Sequence, residues 1–109
     1  MKNIITIDIC GHKWDIRFLP KDLLKKEVGF DVLGFTFVDR FSIDVVDSCT
    51  KQETKRILSH ELTHAIICSQ GRAFQKKFSQ EEVCEYVAWT FEMTNRLVKE
   101  VMKKRYGED

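Results

Sequence analysis

A chain of 109 residues with 43% hydrophobic residues, among them 8 Phe and 2 Trp, holds enough apolar side chain to build a core without disulfide staples. Its 18 Lys+Arg against 17 Asp+Glu leave a net charge of +1, which lacks the electrostatic footprint of a binder of nucleic acid or anionic lipid. No stretch approaches the roughly 20 apolar residues of a membrane span, and the four cysteines, at positions 10, 49, 68 and 84 without CxxC spacing, read with the short apolar start as reduced thiols in a cytosolic protein.

In chain order, the first half is strand-like. Ile5, Ile7 and Ile9 alternate with Thr6 and Asp8, Gly11-His12 marks a turn, and Trp14, Ile16 and Phe18 alternate with Asp15 and Arg17, which predicts a hairpin. Pro20 opens a short helical piece that Gly29 ends. Phe35, Phe37, Phe41, Ile43 and Val45 then alternate around Asp39-Arg40, predicting a second hairpin that leads into a helix over about residues 50 to 70. That helix carries a capping box at Thr50 and Glu53, an apolar arc of Leu58, Leu62, Ala65 and Ile66, and Gly71 as its stop.

Ser79 with Glu82 forms another capping box, opening a final helix over about residues 79 to 105. Its broad face of Val83, Tyr86, Val87, Phe91, Thr94, Leu97, Val98 and Val101 is expected to be core. The basic tail Lys99 to Arg105 reads as a solvated helix end whose cations complement the dipole. Without repeat, low-complexity tract or linker, residues 1–109 are expected to form one α+β domain, a small, mostly antiparallel sheet of two hairpins packed on two main helices.

The chemistry is concentrated in His60-Glu61-Leu62-Thr63-His64. Four residues advance an α-helix by about 400° and about 6 Å, so both imidazoles project from one face and can converge on one zinc ion. Glu61 stands about 60° round from His64, beside such a metal, where it can take a proton from a zinc-activated water. By composition alone such a window is expected in about 0.7% of chains of this size. Around the helix, Ile57, His60, Glu61, His64 and Cys68 share an arc distinct from the apolar one and from the polar arc of Gln52, Arg56, Ser59 and Thr63, as the floor of a cleft would. Cys68 is read as a small buried hydrophobe in preference to a ligand.

A zinc with two histidines needs a third protein ligand and keeps a fourth position for water. The candidates are acids on the final helix. Glu82 has the capping task, and Glu81 and Glu85, four apart, share a face with Ala88. Glu81 is the expected ligand, and Glu85 either accepts the N–H of a ligand imidazole or takes the ligand position itself.

The segment Ile57-Leu58-Ser59-His60-Glu61-Leu62-Thr63-His64-Ala65, followed by Glu81-Glu82-Val83-Cys84-Glu85-Tyr86-Val87-Ala88, resembles the small zincin-like (gluzincin) metallopeptidases of phages and bacterial mobile elements, in the neighbourhood of the ImmA/IrrE and SprT-like families. The resemblance covers the second half of the chain, with a looser likeness in the strands before it. It implies zinc, endopeptidase chemistry with Glu61 as general base, a third ligand from the helix after the HExxH helix, and a peptide substrate lying extended along an exposed sheet edge. Glu85 stands where relatives usually carry Asp or Asn, and no assigned His or Tyr completes an oxyanion site, although His12 and Tyr86 are the residues to consider. The expected partner is a peptide or protein substrate, with no nucleic acid and no membrane, bound by a monomer or weak oligomer. The alternative is a zinc-stabilised protein-interaction module of little or no catalytic power.

Overall fold

The alternation in the first twenty residues folds into β1 (Ile4–Ile9) and β2 (His12–Leu19), paired antiparallel with Ile5 opposite Ile16 and Ile7 opposite Trp14. The structure, a computed structural model, describes residues 1–70 and 80–107, apart from the side chains of residues 80–83 and 86. The β1–β2 link is Cys10-Gly11, with φ of 51° and 88°, the backbone that lets a two-residue turn follow the strand twist. His12 thus begins β2 instead of standing in the turn. Helix α1 (Lys21–Val28) follows Pro20 and ends at Gly29, whose φ of 96° lets its N–H reach the Lys25 carbonyl at 2.7 Å.

After α1 the chain forms β3 (Gly34–Phe37), a 3₁₀ turn at Val38–Arg40, and β4 (Ser42–Val46). The strand order is β1-β2-β4-β3. The two hairpins are antiparallel within themselves and join through a parallel β2–β4 pair, which leaves β3 at an edge. A return through α1 makes that parallel join possible, since parallel neighbours need a crossover. On one face of the sheet, cross-strand rows such as Ile5–Ile16–Ile43 pack against α2 (Lys51–Ser69) and α3 (Gln80–Tyr106). Leu58, Leu62, Ala65 and Ile66 of α2 are fully buried there, as their arc predicts.

The expected capping box opens α2: the Glu53 N–H donates to Thr50 Oγ1 at 3.1 Å and the Thr50 N–H to Glu53 Oε1 at 3.0 Å. Gly71 and the Ser79–Glu82 box lie outside the described residues. On α3, Thr94, Leu97, Val98 and Val101 are buried as expected, but Val87 and Phe91 are 56% and 66% exposed. They border a hollow of about 250 Å³ with Ser59 and Thr63 of α2, while Thr90 between them is buried. The helical period puts them toward one margin of the core face, beside the buried Thr90 and Thr94. The side chains of Val83 and Tyr86 lie outside the described residues.

The basic tail is not wholly solvated. Arg105 is buried, its guanidinium lies 3.7 Å from the centre of the Phe18 ring, and its Nη1 donates to the Lys2 carbonyl at 2.7 Å. The final turn is thereby tied to the start of the chain. Arg105→Ala is expected to cost about 1.5–3 kcal/mol in denaturant unfolding, and Arg105→Lys to recover only part of it, because one ammonium cannot both cover the ring and reach the carbonyl. A loss under about 0.5 kcal/mol would mean that the contact is no more than a surface one.

The opposite face of the sheet carries charge. Asp44 of β4 is fully buried and accepts from Arg17 Nε at 2.8 Å, Arg17 Nη2 at 2.6 Å and Ser42 Oγ at 3.2 Å. Glu27 of α1 bridges Arg17 at 3.2 Å and Arg40 at 3.0 Å, linking α1 and the 3₁₀ turn to the sheet. The hydrogen bond to Asp44 raises the Arg17 guanidinium further above its ordinary range. The hydrogen bond from Arg40 holds Glu27 below the ordinary 4.5, and the Thr50 backbone N–H does the same for Glu53. A carboxylate lowered by folding contributes stability that is full above its unfolded value and is lost as pH falls through the folded one. Denaturant midpoints are therefore expected to fall on acidification below about pH 4.5, and less steeply in Glu27→Gln/Glu53→Gln. Equal steepness in that variant would remove these two groups as the cause.

The four cysteines are free, and burial pushes the Cys49 thiol up, away from reactivity. Among the described residues no helix is long and apolar enough to cross a membrane.

Candidate metal centre

The face of α2 that turns away from the core looks toward β3. His60 and His64 are exposed there, their rings nearly perpendicular at 75°, and their Nε2 atoms stand 3.2 Å apart. Two nitrogens each about 2.0–2.1 Å from a tetrahedral zinc are separated by about 3.3 Å, so the pair already has the spacing of two ligands to one ion. Without a metal, one ring must donate to the other; with one, both lone pairs are used at a common point.

Glu61 differs sharply in surroundings. It is buried, 8% exposed, with Oε2 3.9 Å from His60 Nε2 and Oε1 accepting the Thr36 hydroxyl at 2.8 Å. One oxygen of Glu61 is thus turned to the histidine pair and the other is held from β3. Burial of a carboxylate costs heavily unless hydrogen bonds satisfy it, and Thr36 supplies one.

Strand β3 can come that close because of Gly34. A Cβ built there would stand 2.5 Å from Ile57 Cγ2 and 3.2 Å from Glu61 Cγ, so any larger residue would push the strand off the helix. Gly34 and Thr36, two apart, share the helix-facing side, opposite Val45 and Ile43 of β4. Phe35 and Phe37 take the other face, where their rings meet at 4.8 Å and Arg40 lies 3.8 Å over Phe37. The result is a cleft of about 360 Å³ between β3 and α2, bordered by Gly34, Thr36, His60, Glu61, His64 and Cys68.

Cys68 lines this cleft, yet it cannot share a metal with both histidines, since positions 60, 64 and 68 of one helix span about 12 Å. The side chain of Glu81, the expected third ligand, lies outside the described residues. Glu85 is exposed on α3 and does not border the cleft. Among the described residues, no three His, Cys, Asp or Glu side chains group so as to hold a metal ion. His12 stacks on Phe41 at 4.9 Å, which in turn meets Trp14 edge-on, and it is not part of the cleft; the Tyr86 side chain lies outside the described residues.

The chain matches no family model, no curated protein and no solved structure. No family membership is shown. The chemistry of the site is therefore read from its own geometry. A larger hollow, about 680 Å³, lies between α2 and the last turns of α3, bordered by Lys55, Arg96, Lys99 and Tyr106. It contains no histidine, and its one acid among the described residues, Glu100, is engaged by Lys104 at 2.8 Å, so its size does not make it the metal centre.

Gly34 and Thr36, like Val38, are residues of the cleft that sequence reasoning passes over. The expected alternation of Phe35 and Phe37 with Ile43 and Val45 does not hold: the two phenylalanines stand opposite Asp44 and Ser42, on the other face, Phe41 lies outside the strands at φ 51°, and the small and polar residues of Gly34-Phe35-Thr36-Phe37 are the ones that meet α2. Residues of those types so placed mark a close approach and a polar partner.

Proposed function

We propose that the protein is a zinc metalloendopeptidase in which His60 and His64 hold the metal and Glu61 is the general base. The observation that carries this reading is the 3.2 Å convergence of the two Nε2 atoms with Glu61 Oε2 3.9 Å from one of them. Glu81 is the proposed third ligand, and Glu85 either supports a ligand imidazole or replaces Glu81. Zinc bound there supplies a Lewis acid that acidifies water and polarises a peptide carbonyl. The Glu61 carboxylate takes the proton of the attacking water at Oε2 and returns it to the leaving amine.

The proposed substrate is a peptide or protein segment lying extended along the outer edge of β3, where main-chain pairing binds it with little side-chain selection. Cytosolic location, a monomeric or weakly associated state, and the lack of nucleic-acid and membrane partners belong to the same proposal. The resemblance to phage and mobile-element gluzincins gives it context. One observation favours the alternative, a zinc-stabilised interaction module: besides the histidines, Thr36 and the weakly donating Cys68 thiol, no described residue bordering the cleft offers a side-chain donor for an oxyanion. Cleavage of labelled, unfolded casein by untagged protein, abolished in Glu61→Gln at unchanged zinc content, separates the two.

A further inference from the structure

We propose that Thr36 is the positioning residue for Glu61: its hydroxyl occupies Oε1, so that Oε2 is the oxygen left to act as base. This deepens the metallopeptidase reading and rests on it. Thr36 Oγ1 lies 2.8 Å from Glu61 Oε1 and 3.1 Å from the Glu61 backbone oxygen. That backbone oxygen sits within α2, where the helix supplies it with an N–H four residues on, so the single hydroxyl proton serves the carboxylate. The remaining oxygen, Oε2, is the one on the His60 side, at 3.9 Å.

The placement of Thr36 argues against a packing role. It continues the helix-facing row Ile5–Ile16–Ile43, whose three other members are all buried isoleucines. An aliphatic β-branched residue would satisfy strand preference and packing equally well in that row. What the hydroxyl adds is a bond to one atom. Gly34, two residues earlier, removes the Cβ that would hold β3 away, and so makes the 2.8 Å contact reachable. The base is thus aligned by the edge strand itself. Any displacement of that strand moves the base as well.

The test compares Thr36→Val, which keeps shape and strand preference, with Thr36→Ser, which keeps the hydroxyl, in the full untagged chain. Thr36→Val is expected to lower kcat for casein cleavage by about 10–100-fold with KM and zinc content unchanged, and Thr36→Ser to return kcat to within about threefold of wild type. A second readout needs neither metal nor turnover. In metal-free protein, NMR is expected to show a Thr36 hydroxyl proton protected from exchange, retained in Glu61→Gln, whose Oε1 still accepts, and exchanging faster in Glu61→Ala, where only the backbone oxygen is left to accept. Unchanged kcat in Thr36→Val, or a change confined to KM, overturns the proposal while leaving the peptidase reading intact. Absence of any Glu61-dependent cleavage in wild type removes the peptidase reading and this one with it, a protected hydroxyl then marking a purely structural bond. If Thr36→Val fails to fold, Thr36→Ala carries the same expectation, and full activity in it has the same overturning force.

Discussion

Glu61→Gln is expected to lower kcat/KM for casein cleavage by about 10²–10⁴, the contribution of a positioned general base, with zinc content and thermal stability close to wild type. The substitution is chosen for what it keeps. Glutamine retains an oxygen at the Oε1 position, so it still accepts the Thr36 hydroxyl that the carboxylate accepts at 2.8 Å. It also retains the aliphatic stem that packs against the Gly34 approach, 3.2 Å from the position of an added Cβ. What changes is the atom on the His60 side, where an amide nitrogen that donates replaces an oxygen that accepts a proton. Fold, cleft and ligands stay while the base is removed. Cleavage that survives the change rejects the peptidase reading. If neither protein cleaves and both hold zinc one to one, the interaction module takes its place. Only a trace of zinc in untagged wild type, measured by elemental analysis, sinks both.

Glu81→Gln is expected to weaken zinc binding by at least about 100-fold, against about 10-fold for Glu85→Gln, which is the scale of losing an outer partner of a ligand. The histidines supply two neutral nitrogens, and a third, anionic donor both completes the protein's share of a tetrahedral site and offsets the metal charge. An amide oxygen does neither well. Glu81 and Glu85 lie one helical turn apart on α3, so both sit on the same side of that helix and only one of them can be at the height of the His60–His64 pair. Competition with a chelating dye, at a pH where the histidines are neutral, measures both variants directly. The reverse order of effects reassigns the third ligand to Glu85. Equal and small effects exclude both acids.

Much of the fold was legible because it follows from short-range rules. The alternation of Ile5, Ile7 and Ile9 with Trp14, Ile16 and Phe18 specifies one hairpin and its register, since a one-residue slip would bury Asp15 and Arg17. Thr50 and Glu53 mark the start of α2 through a bond pair that spans only three residues. Where the reading erred, the missing information was non-local. Val87 and Phe91 have the period of a core face, but burial needs a neighbour, and both border an open hollow beside Ser59 and Thr63 of α2. Arg105 looks like one more cation in a basic tail, and only the return of α3 beside β1 and β2 makes it a buried clasp on Phe18 and Lys2.

The candidate site divides in the same way. Positions 60, 61 and 64 lie on one helix, so their relative placement is set by the helical period, and sequence alone determined that two imidazoles meet with an acid beside them. Gly34 and Thr36 lie about 25 residues earlier in the chain, and their approach to Glu61 exists only because α1 returns the chain, β4 pairs parallel with β2, and β3 is left as the edge against α2. No local rule encodes a contact across that distance. Tertiary structure therefore decided which oxygen of Glu61 is held and which is free, because a hydrogen bond of 2.8 Å needs two elements brought together by the packing of the whole sheet.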